Sequence, residues 1–386
     1  MQKKPLAYFF SQPHQPFFTW GMLNAVVVML LFLLDYKGIV TLVVTPNLFH
    51  AYTLIFIVFT AFFQGFLLTT FPRFSQMPPL ARQIYTTNFM LLFTGTLLFL
   101  AGAFLSRWLM LPGMLLLWAN QLFSFTAFYR IYRASGAPDK HDQFWILTAF
   151  GSGILTHLLL IVALFFDLTL LEEAAKQLAI YLYLVFVALS VAQRMIPFFS
   201  HVMIARKRTF LPVMYALFGA GIALDLLLSP WGALLFLAAG IFAAIEIYRW
   251  HLPFRQAEPI LWILHLAIFW LPVALIAGAI ADIAASLAGR DLIYLDLHLV
   301  VLGFVTTVLI GFGTRVTLGH SGNMMVTDDR TRMLFYMTQI VIYMRVLYSL
   351  TGTPFLFDIA AGLWIALFGG WALKYMPALV FGKKIV

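Results

Sequence analysis

Long apolar runs separated by short polar segments repeat along the whole chain. About twelve of them are long enough to cross a bilayer as a helix, which takes about 20 residues. These runs cover residues 18–36, 48–70, 86–105, 109–130, 143–166, 175–196, 210–228, 231–249, 259–281, 297–314, 333–350 and 356–375. Proline and glycine lie between the runs, where they interrupt helices. The pattern predicts an all-α, polytopic membrane protein with about twelve transmembrane helices.

The composition supports this fold class and excludes several others. Apolar residues make up 63% of the 386 residues and charged residues only 10%, against roughly 25% charged residues in soluble domains. So few charges do not cover the surface of a soluble globule of this size, which excludes a cytosolic enzyme, a DNA-binding domain and a secreted disulfide scaffold. The segments between the runs are too short for a soluble domain, so residues 1–386 are predicted to form a single transmembrane domain.

Net charge and cysteine content limit the possible partners and metal ligands. The net charge of +9 need not indicate a nucleic-acid partner, because basic loops are ordinary in membrane proteins. Cysteine is absent, which excludes disulfides, thiolate metal sites and iron–sulfur clusters. A bound metal would therefore need histidine, methionine, carboxylate or backbone oxygen as its ligand.

The basic residues also indicate how the helices are oriented, since Lys and Arg concentrate on the cytoplasmic side. If both termini are cytoplasmic, the outer segments contain only four of the 24 basic residues, namely Lys37, Arg107, Lys176 and Arg290. The distribution therefore predicts cytoplasmic N- and C-termini. Lys3 and Lys4 precede the first run, and no small-residue cleavage site follows it, so we predict a retained helix instead of a signal peptide.

A weak internal regularity links three of the predicted helices. The ends of helices 2, 6 and 10 read TTFPRFS, AQRMIPFFSH and GTRVTLGHSG, and each brings an arginine to the inner surface. These helices lie four apart in the order of the chain, which suggests three four-helix units. Chance similarity between apolar helices is the alternative explanation.

The nine histidines carry most of the chemical information. Five fall in or beside predicted cytoplasmic loops and are interpreted as solvated: His14, His141, His201, His251 and His320. The other four fall within or at the mouths of predicted spans: His50, His157, His265 and His298. Ionisable groups at membrane depth are costly and usually face an interior site. With no run of intramembrane acids beside them, these four favour metal or haem ligation over a proton path.

His50 and His298 form the most informative pair. Both lie near the outer ends of helices predicted to run from outside to inside, so they share one level and are predicted to bind a haem iron from opposite sides. His157 and His265 lie at other depths and are weaker metal-ligand candidates. Helices 2 and 10 carry small residues that would fit a planar group, although close helix packing explains them equally well.

Three further residues are candidates for holding a cofactor. Arg345 is the only basic residue deep in a span, and a haem propionate or a buried acid is its predicted counter-ion, with snorkelling to the surface as the alternative. Arg315 and His320 are predicted to form a basic turn, rich in glycine and threonine, that holds a propionate or a phosphate. Contact with a lipid headgroup is the alternative for this turn.

Four stretches resemble the NnrS family of membrane proteins. They read NLFHAYTLIFIVFTAFFQGFLLTTFPRFS (47–75), AQRMIPFFSHV (192–202), EPILWILHLAIFWLP (258–272) and LHLVVLGFVTTVLIGFGTRVTLGHSG (297–322). The stretches occur in the order of the family and are spread over most of the chain. The residues that match family motif positions are His50, His265, His298, Arg315 and His320.

The resemblance implies a twelve-helix protein of the bacterial inner membrane that is associated with haem and copper. Such a protein would contain haem b and protect the cell during nitric oxide stress, with nitric oxide or nitrosyl-iron species as its small-molecule ligand. One departure concerns copper. Many members have His-Ala-His-Glu where this chain has His-Ala-Tyr-Thr at Tyr52 and Thr53. If the missing histidine is a copper ligand in the family, the departure argues against copper binding here.

A more distant similarity is to subunit I of the haem–copper oxidases. There a low-spin haem lies between histidines of helices 2 and 10 near the outer face, and His50 and His298 occupy matching places. The two-histidine pattern of helix 10 is reduced here to Asp296-Leu297-His298, and helix 6 contains no histidine within its span. A binuclear centre that reduces oxygen or nitric oxide is therefore predicted to be absent.

Three hypotheses for the function remain open at this stage. The first is a haem-binding protein that binds or relays electrons, or removes nitrosyl-iron species, in the nitric oxide response. The second is a transporter that exports a small solute or metal complex. The third is an enzyme of the haem–copper reductase type. All three place the chain in the lipid bilayer, and none requires nucleic acid.

The predicted topology can be tested with reporter fusions. With both termini inside, green fluorescent protein fused after Val386 should fluoresce, and alkaline phosphatase fused there should be inactive. With the N-terminus cytoplasmic, active phosphatase at that position would require an odd number of spans and would contradict the predicted helix count.

Overall fold

The computed structural model describes residues 5–204, 206–228 and 230–385, and all regular elements in these ranges are helical. A helical turn at Pro5–Phe9 precedes twelve longer helices. They are α1 (His14–Tyr36), α2 (Pro46–Phe74), α3 (Arg82–Leu105), α4 (Arg107–Ala134), α5 (His141–Phe165), α6 (Thr169–Phe199), α7 (Phe210–Leu228), α8 (Gly232–Tyr248), α9 (Pro259–Ala288), α10 (Leu295–His320), α11 (Asp329–Thr351) and α12 (Pro354–Phe381). Three residues named above lie outside the described ranges. They are Lys3 and Lys4, on which the predicted orientation partly depends, and Val386, after which the reporters would be fused.

The helices confirm the predicted all-α, polytopic membrane fold. Among the described residues, 11 helices are long and apolar enough to cross a membrane. The remaining helix, α8, has 17 residues, which is at the lower limit for a span. Regular helix is the expected form of these apolar segments, because the bilayer core offers no water to pair with backbone N–H and C=O groups.

One prediction about α10 is wrong. The segment GTRVTLGHSG was expected to form a basic turn, but α10 continues as a helix through Arg315 to His320. Gly313 serves helix packing, whereas Gly322, with φ of 70°, lies in the turn that follows the helix. Gly313 lies against the indole of Trp371, where a Cβ atom would approach the ring to 2.6 Å, and the Thr317 hydroxyl donates to the Gly313 carbonyl at 2.8 Å.

Helices α2, α6 and α10 share two features that the other helices lack. They are the most enclosed spans, with 94%, 89% and 78% of the most apolar stretch buried, against 28–56% for the other spans. Each also contains a π-helical segment, at Leu54–Phe59, Ala179–Val185 and Leu299–Thr306 respectively. Such segments are rare and frequently accompany functional sites. The regularity seen in their sequences therefore extends to their backbone.

Threonine hydroxyls support two of these π-helical segments. The Thr60 hydroxyl donates to the carbonyl of Ile55 at 2.8 Å, and the Thr306 hydroxyl donates to the carbonyl of Val301 at 2.9 Å. Both bonds reach five residues back along the chain, which matches the spacing of a π-helix. The side chains thus pair with carbonyls where the regular α-helical hydrogen bonds are interrupted.

The chain forms two compact units. The first comprises Met1–Ala179, Gly313–Met325 and Trp364–Val386, and the second comprises Ile180–Phe312 and Val326–Leu363. Three helices contribute residues to both units, namely α6, α10 and α12.

Close helix contacts and tryptophan hydrogen bonds organise the first unit. Helices α3 and α4 approach so closely that a Cβ atom on Gly113 would collide with the backbone nitrogen of Phe99. Small residues at such contacts permit close packing, which drives helix association in lipid. In α12, the indole N–H groups of Trp364 and Trp371 donate to the Ala25 carbonyl at 3.0 Å and the Thr314 hydroxyl at 3.1 Å.

The interior of the first unit also contains a polar network between α2, α3 and α4. Gln64 donates to the Asn120 side-chain carbonyl at 2.6 Å, and Asn120 donates to the side-chain carbonyl of Asn88 at 2.8 Å. Asn88 in turn donates to the Ser124 hydroxyl at 2.7 Å. All four side chains are fully buried. In a low-dielectric interior, amide hydrogen bonds of this kind specify one register of the three helices.

Helix α9 packs closely against its neighbours in the second unit. A Cβ atom on Gly303 of α10 would approach the Trp270 ring to 2.9 Å, and one on Gly240 of α8 would approach the Ile276 side chain to 2.7 Å. The Trp270 indole also donates to the Gln339 side-chain carbonyl of α11 at 2.8 Å. These contacts bring α8, α10 and α11 to the surface of α9.

The close α3–α4 contact generates a stability prediction. Gly113→Ala should lower the free energy of unfolding by about 1–3 kcal/mol, because the added methyl group overlaps backbone atoms that cannot rotate away. Gly369→Ala is the matched control, since nothing lies within 4 Å of a Cβ atom there. Thermal unfolding of both variants in detergent measures the difference, and equal melting temperatures would contradict the prediction.

Candidate functional site

The two histidines predicted to share an iron belong to different units. His50 lies in the first unit and His298 in the second. Ligation of one iron by both histidines stays a prediction.

His50 lies in the second turn of α2. Thr45 caps this helix by accepting a hydrogen bond from the Leu48 N–H at 3.3 Å, and Pro46 occupies the first helical position. The imidazole packs against the Phe32 ring with a centroid separation of 4.3 Å. The helix start is thus well defined, and the π-helical segment begins four residues after His50.

His298 lies in the first turn of α10 and is oriented by an unusual backbone. Ile293 and Tyr294, just before the helix, both have left-handed backbone angles, with φ of 45° and 56°. The Tyr294 carbonyl accepts the backbone N–H of His298 at 3.1 Å and its ring Nδ1 at 2.8 Å. A carbonyl oxygen only accepts, so Nδ1 carries the proton. In the neutral ring the lone pair is then on Nε2, as in most metal-ligating histidines.

Arg345 stabilises that left-handed turn. Its guanidinium donates to the Ile293 carbonyl at 3.0 Å and to the Ser349 hydroxyl, and Ser349 donates to the same carbonyl at 3.2 Å. The side chain is only 8% exposed and lies over the Tyr348 ring. The predicted partner was a propionate or a buried acid, whereas these hydrogen bonds go to a carbonyl and a hydroxyl. Arg345 therefore acts on the backbone that presents His298.

His157 is enclosed in a hydrogen-bonded triad in the first unit. Its Nε2 lies 2.8 Å from the Tyr52 hydroxyl, and its Nδ1 lies 2.8 Å from the side-chain carbonyl of Gln121. The ring stacks on Phe56 at a centroid separation of 3.9 Å. Both ring nitrogens thus have protein partners. One of them is Tyr52, where the sequence departs from the His-Ala-His-Glu pattern.

His265 is fully buried in the second unit and has one protein partner. The Ser200 hydroxyl donates to the Ile196 carbonyl at 2.7 Å, so it accepts from His265 Nε2, which lies 2.7 Å away. The Nδ1 atom of His265 is buried without a hydrogen-bond partner. The imidazole is thus held by its Nε2, and Nδ1 carries the lone pair. This arrangement is compatible with His265 as a metal ligand, and that role stays a prediction.

The predicted loop histidines behave differently from one another. His201 and His251 are exposed, as expected for solvated histidines. His14, however, is only 2% exposed, and its ring lies 4.9 Å from that of His320 between centroids. His320 and Arg73 are the charged groups that act electrostatically on His14. Arg315 is half-buried in α10, one turn before this cluster.

Three carboxylates of the second unit interact electrostatically, although the sequence suggested no such group. Asp225 and Asp296 both act electrostatically on Asp282. The Asp296 carboxylate accepts hydrogen bonds from the Tyr181 hydroxyl and the Leu297 N–H. Gly278 makes room for Asp296, because a Cβ atom there would lie 3.1 Å from the Asp296 Cα. The signal in the sequence is the four-residue spacing of Gly278 and Asp282, which places both on one face of α9.

A bound metal ion requires several ligand side chains close together. Within residues 5–204, 206–228 and 230–385, no three His, Cys, Asp or Glu side chains come together in a group able to hold a metal ion. A copper site of three such ligands does not fit this donor set. Haem iron needs only one or two axial ligands, and a histidine oriented by a backbone carbonyl fits that role.

Comparison with known proteins places the chain in a family. No curated protein matches it. The family described as NnrS protein matches residues 8–381, which is nearly the whole chain and includes every helix longer than one turn. A match of this extent is not limited to one motif or one pair of helices. The chain therefore belongs to the NnrS family.

Proposed function

We propose that this protein binds haem b in the bacterial inner membrane and acts in the response to nitric oxide. Membership of the NnrS family supports the physiological role. The geometry of His298 supports the cofactor, and it is the observation on which the proposal depends. Its Nδ1–H donates to the Tyr294 carbonyl, so Nε2 is the ligating atom.

The residues around His298 have separate tasks in this proposal. Tyr294 selects the tautomer of the imidazole, and the left-handed turn aims the ring. Arg345 and Ser349 hold that turn through the Ile293 carbonyl. When bound, haem iron supplies a centre that binds nitric oxide and exchanges electrons.

His50, in the first unit, is proposed as a haem ligand in its own surroundings, supported by its position just before a π-helical segment and by its contact with Phe32. Copper forms no part of the proposal, because no group of three His, Cys, Asp or Glu side chains among the described residues supports it. The proposed orientation places both termini in the cytoplasm, as the distribution of basic residues favours.

Transport is a second candidate function, and one observation favours it. Asp225, Asp282 and Asp296 interact within the second unit, and intramembrane carboxylates often mark ion or proton pathways. Absorption spectra of the purified protein, oxidised and reduced, separate the two functions. A Soret band with sharp reduced α and β bands supports haem binding, and a colourless protein favours transport.

Substitution of the histidines tests the proposed ligands. His298→Ala and His50→Ala should each abolish or strongly alter the haem spectrum and lower the melting temperature, because haem bound to the native state stabilises it. Absorption spectroscopy at matched protein concentration measures the effect. Full haem content with unchanged spectra in both variants would contradict the assignment.

Two other histidines serve as matched controls for that experiment. His157→Ala should cost about 1–3 kcal/mol through lost buried hydrogen bonds and leave the spectrum intact, since Tyr52 and Gln121 already pair with this ring. His320→Ala should also keep the spectrum. Loss of haem in His320→Ala alone, at normal expression, would move the site to the other end of α10.

Arg345→Gln tests whether Arg345 positions His298. Loss of the charged donor should relax the Ile293–Tyr294 turn, shift or broaden the haem bands and cost about 1.5–3 kcal/mol of stability. Arg345→Lys should restore part of the spectrum. Arg332→Gln is the control on the same helix, because Arg332 forms only an exposed pair with Asp329. A destabilised variant with unchanged bands would show a purely structural role.

A further inference from the structure

We propose that His14, Arg73 and His320 form a binding site for a phosphate group. All three belong to the first unit, where His14 begins α1, Arg73 lies in the last turn of α2 and His320 ends α10. The phosphate belongs either to a lipid headgroup or to a free phosphate ion. This site is separate from the proposed haem ligands and does not depend on them.

The first argument is an unsatisfied polar atom. His14 is only 2% exposed, and its Nδ1 is buried without a hydrogen-bond partner. Buried polar atoms in native proteins are nearly always paired, and an exception usually indicates a bound water, ion or ligand. The His320 ring lies 4.9 Å away between centroids at an angle of 45°, so two imidazoles border the same place.

The second argument is the sign of the charges. The groups that act electrostatically on His14 are His320 and Arg73, and Arg73 also acts on His320. Of these three side chains, Arg73 carries a permanent positive charge and none carries a negative one, so the cluster favours an anion over a metal cation. The N-terminus of α1, a helix of 23 residues, adds the positive end of its dipole beside His14.

The third argument is that the nearby helix carbonyls already have donors. At the end of α2, Gln143 donates to the Phe74 carbonyl at 2.7 Å, and Ser135 donates to the Ser75 carbonyl at 2.7 Å. At the end of α10, the backbone N–H of Asn323 donates to the Leu318 carbonyl at 3.1 Å. The basic side chains are therefore not needed to cap these helices.

The chemistry of the three side chains matches phosphate best among anions. Arginine presents a planar fork of donors that fits two phosphate oxygens, and each imidazole contributes one N–H donor. Arg73 is exposed while His14 is buried, so the site is accessible from one side and enclosed on the other.

Native mass spectrometry and thermal unfolding of the purified, delipidated protein test this site. The probes are phosphatidylglycerol, with phosphatidylcholine as reference, and inorganic phosphate, with chloride at equal ionic strength. The unmodified protein should bind at least one of the two probes in preference to its reference. Arg73→Gln should weaken that binding about tenfold, and His320→Gln should also weaken it. Arg82→Gln, an exposed arginine in the same unit, should change it less than about twofold.

The outcomes separate the two sources of the phosphate group. Preference for phosphatidylglycerol alone assigns a lipid headgroup, and stabilisation by inorganic phosphate assigns free phosphate, provided Arg73→Gln removes the effect. The proposal is wrong if neither probe exceeds its reference, or if Arg82→Gln weakens binding as much as Arg73→Gln. Because Arg73 is exposed, its variant should fold even where His14→Gln does not.

Discussion

The structure depends on one constraint, which is that a polar group inside the bilayer core must find its partner within the protein. The helical backbone meets most of this requirement, and side chains meet the rest. In the first unit, Gln64, Asn120 and Asn88 link three helices through amide hydrogen bonds. The Trp364 indole pairs with the Ala25 carbonyl in the same way. Each such hydrogen bond stabilises one helix register over the alternatives. Polar residues therefore specify one packing arrangement among several that apolar contacts alone would not distinguish.

Departures from that constraint identify the places where chemistry is expected. At the start of α10, two consecutive left-handed residues keep the Tyr294 carbonyl directed at His298, at a cost in backbone energy. Arg345 offsets this cost by bonding the Ile293 carbonyl. At the start of α1, the buried Nδ1 of His14 lacks a partner altogether. The first departure orients the histidine that we propose as an iron ligand, and the second lies in the cluster that we propose as a phosphate site.

The histidines illustrate how context separates residues that look alike in the sequence. His157 and His298 both fall within or near predicted spans, yet two side chains, Tyr52 and Gln121, contact the nitrogens of His157, whereas a backbone carbonyl accepts the Nδ1–H of His298. Tyr52 is instructive, because it occupies a position where many NnrS members have histidine. In this chain the phenol pairs with His157, so the residue that departs from the family pattern is built into the hydrogen bonding of the interior.

The sequence by itself determined the fold class, because runs of about 20 apolar residues have no stable environment outside a bilayer. It also predicted the family and singled out α2, α6 and α10, whose repeated ends accompany π-helical segments that periodicity does not reveal. Partners of individual side chains depended on tertiary structure. The pairing of His14 with His320, and the hydrogen bond from Arg345 to Ile293, join residues 306 and 52 positions apart in the chain. Such contacts follow from how helices rotate and approach one another, which side-chain packing decides and local sequence does not encode.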